Sequence, residues 1–329
     1  MANTYRAVIR CDASPAIGMG HIVRCCCLAQ ELKSLNIEPL FVVNPSDAAR
    51  SYIRKFDFRW VEFSRDDDDY LEFFQNIVEE ENIDVFIGDV RDGLPISLIN
   101  FLKSLQIVTL GLDEPSDYRV ACDKIFYPPS PFVQQLDWTG FTGEIAQGWD
   151  YIVLRPDFYK PYEVSAKKDW LLMLGGTDAK RLTLPILKQL VTLPDIAECN
   201  LHVVCRETHP DFQTINSYAK SPNVLVHTHV ENMAALMASM SLAIISFGVS
   251  AYELAALNVP AYHVCIEPDH HISHIPFAES GLARKALLED IGHIVPFKID
   301  IPLSVSNGAK KIASEILASL ESKSIKAMA

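Results

Sequence analysis

The chain has 329 residues, long enough for two domains of ordinary size, each able to enclose its own core. Its 29 Lys and Arg against 42 Asp and Glu leave a formal net charge of -13. That balance argues against nucleic acid or an anionic membrane surface as the main partner, but not against a phosphorylated ligand, which a helix N-terminus holds without net positive charge.

The opening residues, MANTYRAVIRCDASP, enter a strand pattern at once, without the basic stretch and apolar core of a signal peptide, so a cytoplasmic location is expected. Short β-rich runs then alternate with longer amphipathic ones, the pattern of βα units feeding parallel sheets. In the first half the strand candidates are 6–11, 38–43, 59–63, 84–89, 106–112 and 124–128, with helices predicted over 21–35 and 70–82. Ile22, Cys25, Ala29 and Leu32 fall on one helical face. Eight cysteines without CxxC pairs, three of them contiguous at Cys25, Cys26 and Cys27, read as small buried hydrophobes rather than a zinc or disulfide framework. The run RDDDD at 65–69 reads as a solvated loop and helix start.

From 129 to 168 the rhythm is lost among prolines, glycines and aromatics, and the domain boundary is expected near its end, giving domains 1–160 and 161–329. The rhythm resumes with strands at 170–176, 200–205, 223–228, 242–246 and 260–265, and helices near 181–192, 232–239 and 250–257. The uncharged stretch 232–252 has a membrane-spanning length, but its strand-like LAIIS and the turn at Gly248 mark it as buried α/β core. A last amphipathic run, about 304–322, closes the second domain or packs back on the first.

In open α/β sheets ligands collect at the carboxyl ends of the strands, and four loops there carry candidate chemistry. In AIGMGHIVRC (16–25), Val23 stands where a dinucleotide fingerprint needs its third glycine, and the Gly-Lys-Ser/Thr of a P-loop is missing. A turn through Gly18 and Gly20 instead delivers His21 to the first turn of a helix, where the dipole favours a neutral ring suited to general-base work; capping or packing explains the residue equally well. Arg24, one turn on, reaches a ligand anion or pairs with an acidic neighbour.

In LMLGGTDAKR (172–181), Gly175 and Gly176 permit close backbone approach, and Thr177 or Asp178 caps a helix or meets a ligand. In IISFGVSAYE (244–253), Ser246, Gly248 and Ser250 form a strand-to-helix turn whose backbone N–H groups suit a diphosphate. Glu253 either completes a capping box with Ser250 or meets ribose hydroxyls. In EPDHHISH (267–274), Asp269, His270, His271 and His274 cluster; the zincin pattern is absent, and a sugar-contacting or surface loop is the preferred reading over a metal site.

Together these loops resemble the PseG family of UDP-sugar hydrolases and its SpsG-type relatives. The resemblance lies in IRCDASPAIGMGHIVRCCCLA (9–29), YIVLRPDF (151–158), MLGGTD (173–178) and 230–260, the last also similar to the UDP-binding half of MurG-type glycosyltransferases. It implies a GT-B fold, two Rossmann-like domains facing a central cleft, with UDP held mainly by the C-terminal one. On the matching positions it implies a uracil contact through the backbone of Val230, a ribose contact by Glu253, and a diphosphate surrounded by Gly175, Gly176 and residues 246–250, Val249 included. Arg155, Thr177, Asp178, Asp269 and His270 are counted with the ligand-binding set, as are Gly18 and Gly20. His21 matches the catalytic histidine, with Asp12 and Arg24 in the same motif. The partner implied is a UDP-sugar substrate, with no cofactor and no metal, and a monomer is compatible with the pattern. This chain departs from the family at EPDHHISH, where an Asn-Gln pair is usual, and at Phe247, which stands in a loop of small residues. The expected activity is hydrolysis of a UDP-activated amino or deoxy sugar, with a glycosyltransferase as the alternative.

Overall fold

The computed structural model describes residues 4–14, 18–64, 70–163, 168–175 and 178–328, the side chains of 324–328 excepted. The run at 65–69, and Gly176 and Thr177, lie outside the described residues. The chain forms two compact units, Met1–Pro156 with Ser306–Ala329, and Asp157–Val305.

In the first unit, β1 (Tyr5–Cys11), α1 (Gly20–Ser34), β2 (Ile37–Val43), α2 (Asp47–Arg54), β3 (Arg59–Glu62), α3 (Tyr70–Glu81), β4 (Val85–Asp89), α4 (Ile96–Ser104), β5 (Val108–Leu112), β6 (Lys124–Tyr127) and β7 (Glu144–Gln147) follow in order. The second unit continues with β8 (Trp170–Met173), α5 (Thr183–Leu190), β9 (Leu201–Val204), α6 (Phe212–Ser217), β10 (Val224–His227), α7 (Met233–Ala238), β11 (Leu242–Ser246), α8 (Val249–Ala256), β12 (Ala261–Val264), α9 (Pro268–Ser273), α10 (Ile275–Glu279) and β13 (Ala283–Ala286). The chain ends in α11 (Gly308–Met328).

Among the described residues each unit has one sheet, in the orders β3-β2-β1-β4-β5-β6-β7 and β10-β9-β8-β11-β12-β13. Among the described residues every strand pairing in both sheets is parallel, as between Cys11 and Asp89 or Ile245 and Met173. Both orders reverse direction once, at β1/β4 and at β8/β11, and such reversal points are where α/β sheets leave a crevice for ligands.

Alternation along β1 sends Ala7, Ile9 and Cys11 to the face covered by α1 and α11, and Val8 to the face covered by α3 and α4. The face of α1 read from the sequence, Ile22, Cys25, Ala29 and Leu32, is fully enclosed, and Cys26 and Cys27 are buried with it. In the second unit Trp170, Leu172, Leu201, Val203 and Ile244 of the sheet meet Ile186, Leu187 and Leu190 of α5. No helix among the described residues is long and apolar enough to cross a membrane, and 232–252 is divided among α7, β11 and α8.

Three expectations need correction. The division falls after Pro156 rather than Lys160. The C-terminal run, grouped above with 161–329, belongs to the first unit, because Ile312, Ala313, Ile316 and Leu320 join the core over α1. Two strands escaped the sequence reading, β7 and β13. Both are edge strands with little buried surface, Ala146 alone in β7 and the two end alanines in β13, so they lack the apolar run that marks a central strand.

Candidate functional site

At the β1/β4 reversal the chain after β1 turns through Gly18, whose N–H donates to the Ser14 carbonyl at 2.7 Å and whose φ of +87° is left-handed. Open space surrounds the position a Cβ would take there, so the glycine is required by backbone conformation and not by crowding. Gly20 is already the first residue of α1 and has no left-handed φ; the turn rests on Gly18 alone of the two.

His21 and Arg24, three apart on α1, point together at Asp89, the last residue of β4. His21 Nδ1 lies 2.6 Å from Asp89 Oδ1. Arg24 donates from Nε to Oδ2 at 2.6 Å and from Nη2 to Oδ1 at 2.5 Å. The Cys25 thiol adds a contact to Oδ2 at 3.2 Å, and Arg24 Nη1 reaches on to Asp113 Oδ2 at 3.1 Å. Asp89 is completely buried, whereas the His21 side chain is 24% exposed.

Burial by itself would raise the Asp89 carboxyl, but the charge and hydrogen bonds of Arg24, joined by the bond to His21, hold it well below the usual carboxylate range. Burial likewise opposes the charge on Arg24, and Asp89 outweighs it, lifting the guanidinium well above its ordinary value. Asp89 is therefore an anion. An anionic oxygen at 2.6 Å from Nδ1 places a ring proton there, so that in the neutral ring it is Nε2 that carries the lone pair. Arg24 Nη2 also approaches Nδ1, at 3.2 Å, which keeps the three groups in one cluster. Such a constellation can take a proton from a water or hydroxyl group placed at Nε2.

Asp12 does something else. Arg10 Nη1 and Nη2 donate to its Oδ1 at 2.5 Å and Oδ2 at 3.0 Å, and the Asn44 N–H donates to Oδ1 at 3.0 Å. Arg10, itself fully buried, also donates to Tyr70 Oη and Asn44 Oδ1. The Asp12 carboxylate is taken up in a buried ion pair that ties together the segments after β1, β2 and β3. Arg155 is half-buried beside Cys27 and Tyr52.

The sequence reading missed Asp89 and Asp113. A carboxylate ending a parallel strand was the available signal, but nothing in one sequence says that β4 lies beside β1.

At the β8/β11 reversal, Gly175 has a φ of +81°, and a Cβ on it would stand 3.6 Å from Ser246 Oγ, so these two residues adjoin. Gly248, with extended backbone, is the N-cap of α8, and no side chain caps that helix. Val249 is therefore the first helical residue and Ser250 lies inside the first turn, so of the two readings offered for Glu253 the capping box with Ser250 is not formed. Glu253 is half-buried one turn along, and Val230 is half-buried beyond β10.

Asp178 is a cap: Oδ1 accepts the Leu182 N–H at 2.9 Å and Oδ2 the Thr183 N–H at 2.8 Å, with His209 Nε2 3.0 Å from Oδ2. Beside it a pocket of about 190 Å³ is lined by Gly175, Thr183, Arg206 and His209 among others.

The 267–274 histidines diverge. Phe247 packs its ring against His263, His270 and Phe277, and His274 Nδ1 meets His263 Nδ1 at 3.0 Å, both rings buried. Asp269 and His271 are exposed. Among the described residues no group of three or more His, Cys, Asp or Glu side chains is placed to hold a metal ion.

No protein-family model matches the chain. Its homologues include the spore coat polysaccharide biosynthesis protein SpsG of Bacillus subtilis (strain 168), 25% identical over 287 residues that span 85% of this chain and 82% of that protein. They also include the UDP-2,4-diacetamido-2,4,6-trideoxy-beta-L-altropyranose hydrolase of Campylobacter jejuni, 25% identical over 285 residues, 84% of this chain and 97% of that one. In structure the chain is similar to MurG of Acinetobacter baumannii, with a TM-score of 0.61 and 13% identity over 97% of this chain and 99% of that one. The fold is thus the α/β GT-B fold, built from two Rossmann-like units of parallel strands.

Proposed function

We propose that the protein is an enzyme acting on nucleotide sugars, and that it hydrolyses a UDP-activated amino or deoxy sugar, of the UDP-2,4-diacetamido-2,4,6-trideoxyhexose type, to the free sugar and UDP. The carrying observation is the His21–Asp89 pair, which presents a lone-pair nitrogen on a ring oriented by a buried carboxylate. Similarity to the Campylobacter hydrolase over most of both chains supports the choice of reaction.

In this reading His21 Nε2 takes a proton from water as the water oxygen bonds to the anomeric carbon. The bond from that carbon to the phosphate oxygen breaks, and its electron pair leaves with UDP. Arg24 holds Asp89, and Asp89 holds the ring; Arg24 and Asp89 are positioning residues. The nucleotide falls to the second unit: the N–H groups that open α8 and the Gly175–Ser246 corner suit a diphosphate, Glu253 the ribose and the Val230 backbone the uracil. Gly176 and Thr177 complete that assignment from the motif. The product would feed nonulosonic (pseudaminic) acid or related surface-polysaccharide synthesis.

A glycosyltransferase is the second reading, because the same base serves an acceptor hydroxyl as well as a water, and a relative is named for spore-coat polysaccharide biosynthesis. Purified protein supplied with UDP-diacetamido-trideoxyhexoses in oxygen-18 water separates them. A hydrolase places the label on the anomeric oxygen of the free sugar, and a transferase does not. Absence of UDP release from the whole panel, with His21→Ala indistinguishable from the parent, would sink the proposal.

A further inference from the structure

Asp113 follows β5 with a φ of +52°, in the left-handed region. Eight non-glycine residues have a positive φ among the described residues, and five of them close helices, from Asn36 after α1 to Asn258 after α8, where that conformation is usual. Asp178 and Arg181 precede α5, and Asp113 alone of the eight ends a strand. Glycine suits such a backbone without steric cost, so an aspartate there calls for a reason.

The end of β6 fixes the chain on either side of it. The Asp113 N–H donates to the Phe126 carbonyl at 2.8 Å, and the Glu114 carbonyl accepts the Tyr127 hydroxyl at 2.5 Å. Glu114 is completely buried, whereas the Asp113 side chain is 43% exposed. The strand end thus encloses one acid and holds its neighbour open, at the carboxyl edge where parallel sheets collect ligands.

Arg24 joins that open carboxylate to the base. Asp89 takes its Nε and Nη2, and Nη1, the nitrogen that Asp89 leaves, donates to Asp113 Oδ2 at 3.1 Å. Among the described residues Asp113 Oδ1 accepts no hydrogen bond. Two carboxylates against one guanidinium leave a negative charge in surplus, and it falls on the exposed member, because Asp89 is enclosed by Arg24, His21 and Cys25. A carboxylate oxygen so placed is a strong acceptor for a ligand N–H or O–H. Since the guanidinium links it to the imidazole, it is set to meet substituents of a sugar whose anomeric carbon faces His21.

We propose that Asp113 is a substrate-recognition residue, whose Oδ1 accepts a hydrogen bond from an N–H or O–H group on the sugar while Oδ2 stays on Arg24. The proposal rests on the reading that brings a sugar to His21, and it adds the group that distinguishes one sugar from another. The two carboxylates that share Arg24 then divide the work: the enclosed Asp89 orients the ring, and the open Asp113 reads the ligand.

Calorimetric titration of the full chain carrying His21→Ala, so that no sugar is consumed, tests the proposal with UDP and with a UDP-2,4-diacetamido-2,4,6-trideoxyhexose. Asp113→Gly removes the side chain and suits the left-handed backbone; it weakens the UDP-sugar about 10- to 100-fold and leaves UDP within about twofold. Asp113→Asn, which keeps the shape and a neutral acceptor, loses at least about threefold for the UDP-sugar. A loss confined to the diacetamido sugar names an amide N–H as the donor, and an equal loss for UDP-glucose names a hydroxyl; either supports the assignment. Parent affinity for both ligands in Asp113→Gly, or an equal loss for both, overturns it, since a carboxylate that only steadies Arg24 leaves the difference between UDP and UDP-sugar unchanged. If Asp113→Gly does not fold, unchanged UDP-sugar affinity in Asp113→Asn does the same, and so does a chain that binds UDP but no UDP-sugar. Binding that depends on Asp113, with no release of UDP when His21 is present, fails the hydrolase reading and leaves this one standing.

Discussion

His21 Nδ1 and Asp89 Oδ1 lie 2.6 Å apart although 68 residues separate them in the chain. The contact fixes the ring's tautomer, and Asp89→Asn removes the anion that requires it while keeping the shape. Turnover of UDP-sugar is expected to fall about 10²- to 10⁴-fold, with nitrogen-15 NMR showing the ring proton shared between Nδ1 and Nε2. A variant that turns over at the parent rate would remove Asp89 from the site.

Asp12→Asn separates the two buried carboxylates. It leaves the fully buried Arg10 without its counter-charge, so a loss of about 3–5 kcal/mol in urea unfolding is expected. Turnover per folded molecule, measured at low temperature, stays within a few fold. A collapse of turnover with stability intact would place Asp12 in the catalytic set.

The two glycines of the GMGH turn respond differently. Gly18→Ala places a side chain on left-handed backbone at a cost of about 1–2 kcal/mol and displaces the helix start that carries His21. Gly20→Ala, at a helical position, is neutral or stabilises by up to about 1 kcal/mol. Thermal unfolding of both, beside their turnover, reads the difference.

Ser250 and Glu253 test the second unit. With no capping box to lose, Ser250→Ala changes stability by less than about 0.5 kcal/mol. Glu253→Gln weakens UDP binding by about tenfold in calorimetric titration, the loss of one charge-assisted hydrogen bond. Unchanged affinity in Glu253→Gln would take the ribose contact away from this residue.

Acid acts on the second unit through His263. Burial, then His274 and His270, push its ring down to about 3 from an ordinary 6.5. Below pH 6.5 the unfolded chain binds a proton here that the folded chain refuses, so stability is present above that value and falls until about pH 3. At pH 5 the deficit is about 2 kcal/mol. Unfolding at pH 7.5 and 5 should show a smaller loss in His263→Gln than in the parent. Asp89 has the opposite charge type and the same sign: its contribution is complete above the ordinary carboxylate range and is lost only well below it.

The alternation of strand and helix, the enclosed face of α1 and the glycine-to-histidine turn were legible in the sequence because each depends on neighbours within a few residues. Periodicity and backbone sterics act at that range. Edge strands β7 and β13 were not, since a strand buried on little of its surface carries little apolar signal. The partner of His21 depends on sheet order, and the placing of β4 beside β1 is a property of the whole sheet. Packing also decided between equal local options. Asp12 went to Arg10, Asp178 to the first turn of α5, Gly248 rather than Ser250 to the start of α8, and the last helix to the first unit. Each choice turns on which buried charge, N–H group or apolar face is left to satisfy once distant segments have met, and that is information a linear sequence holds only jointly.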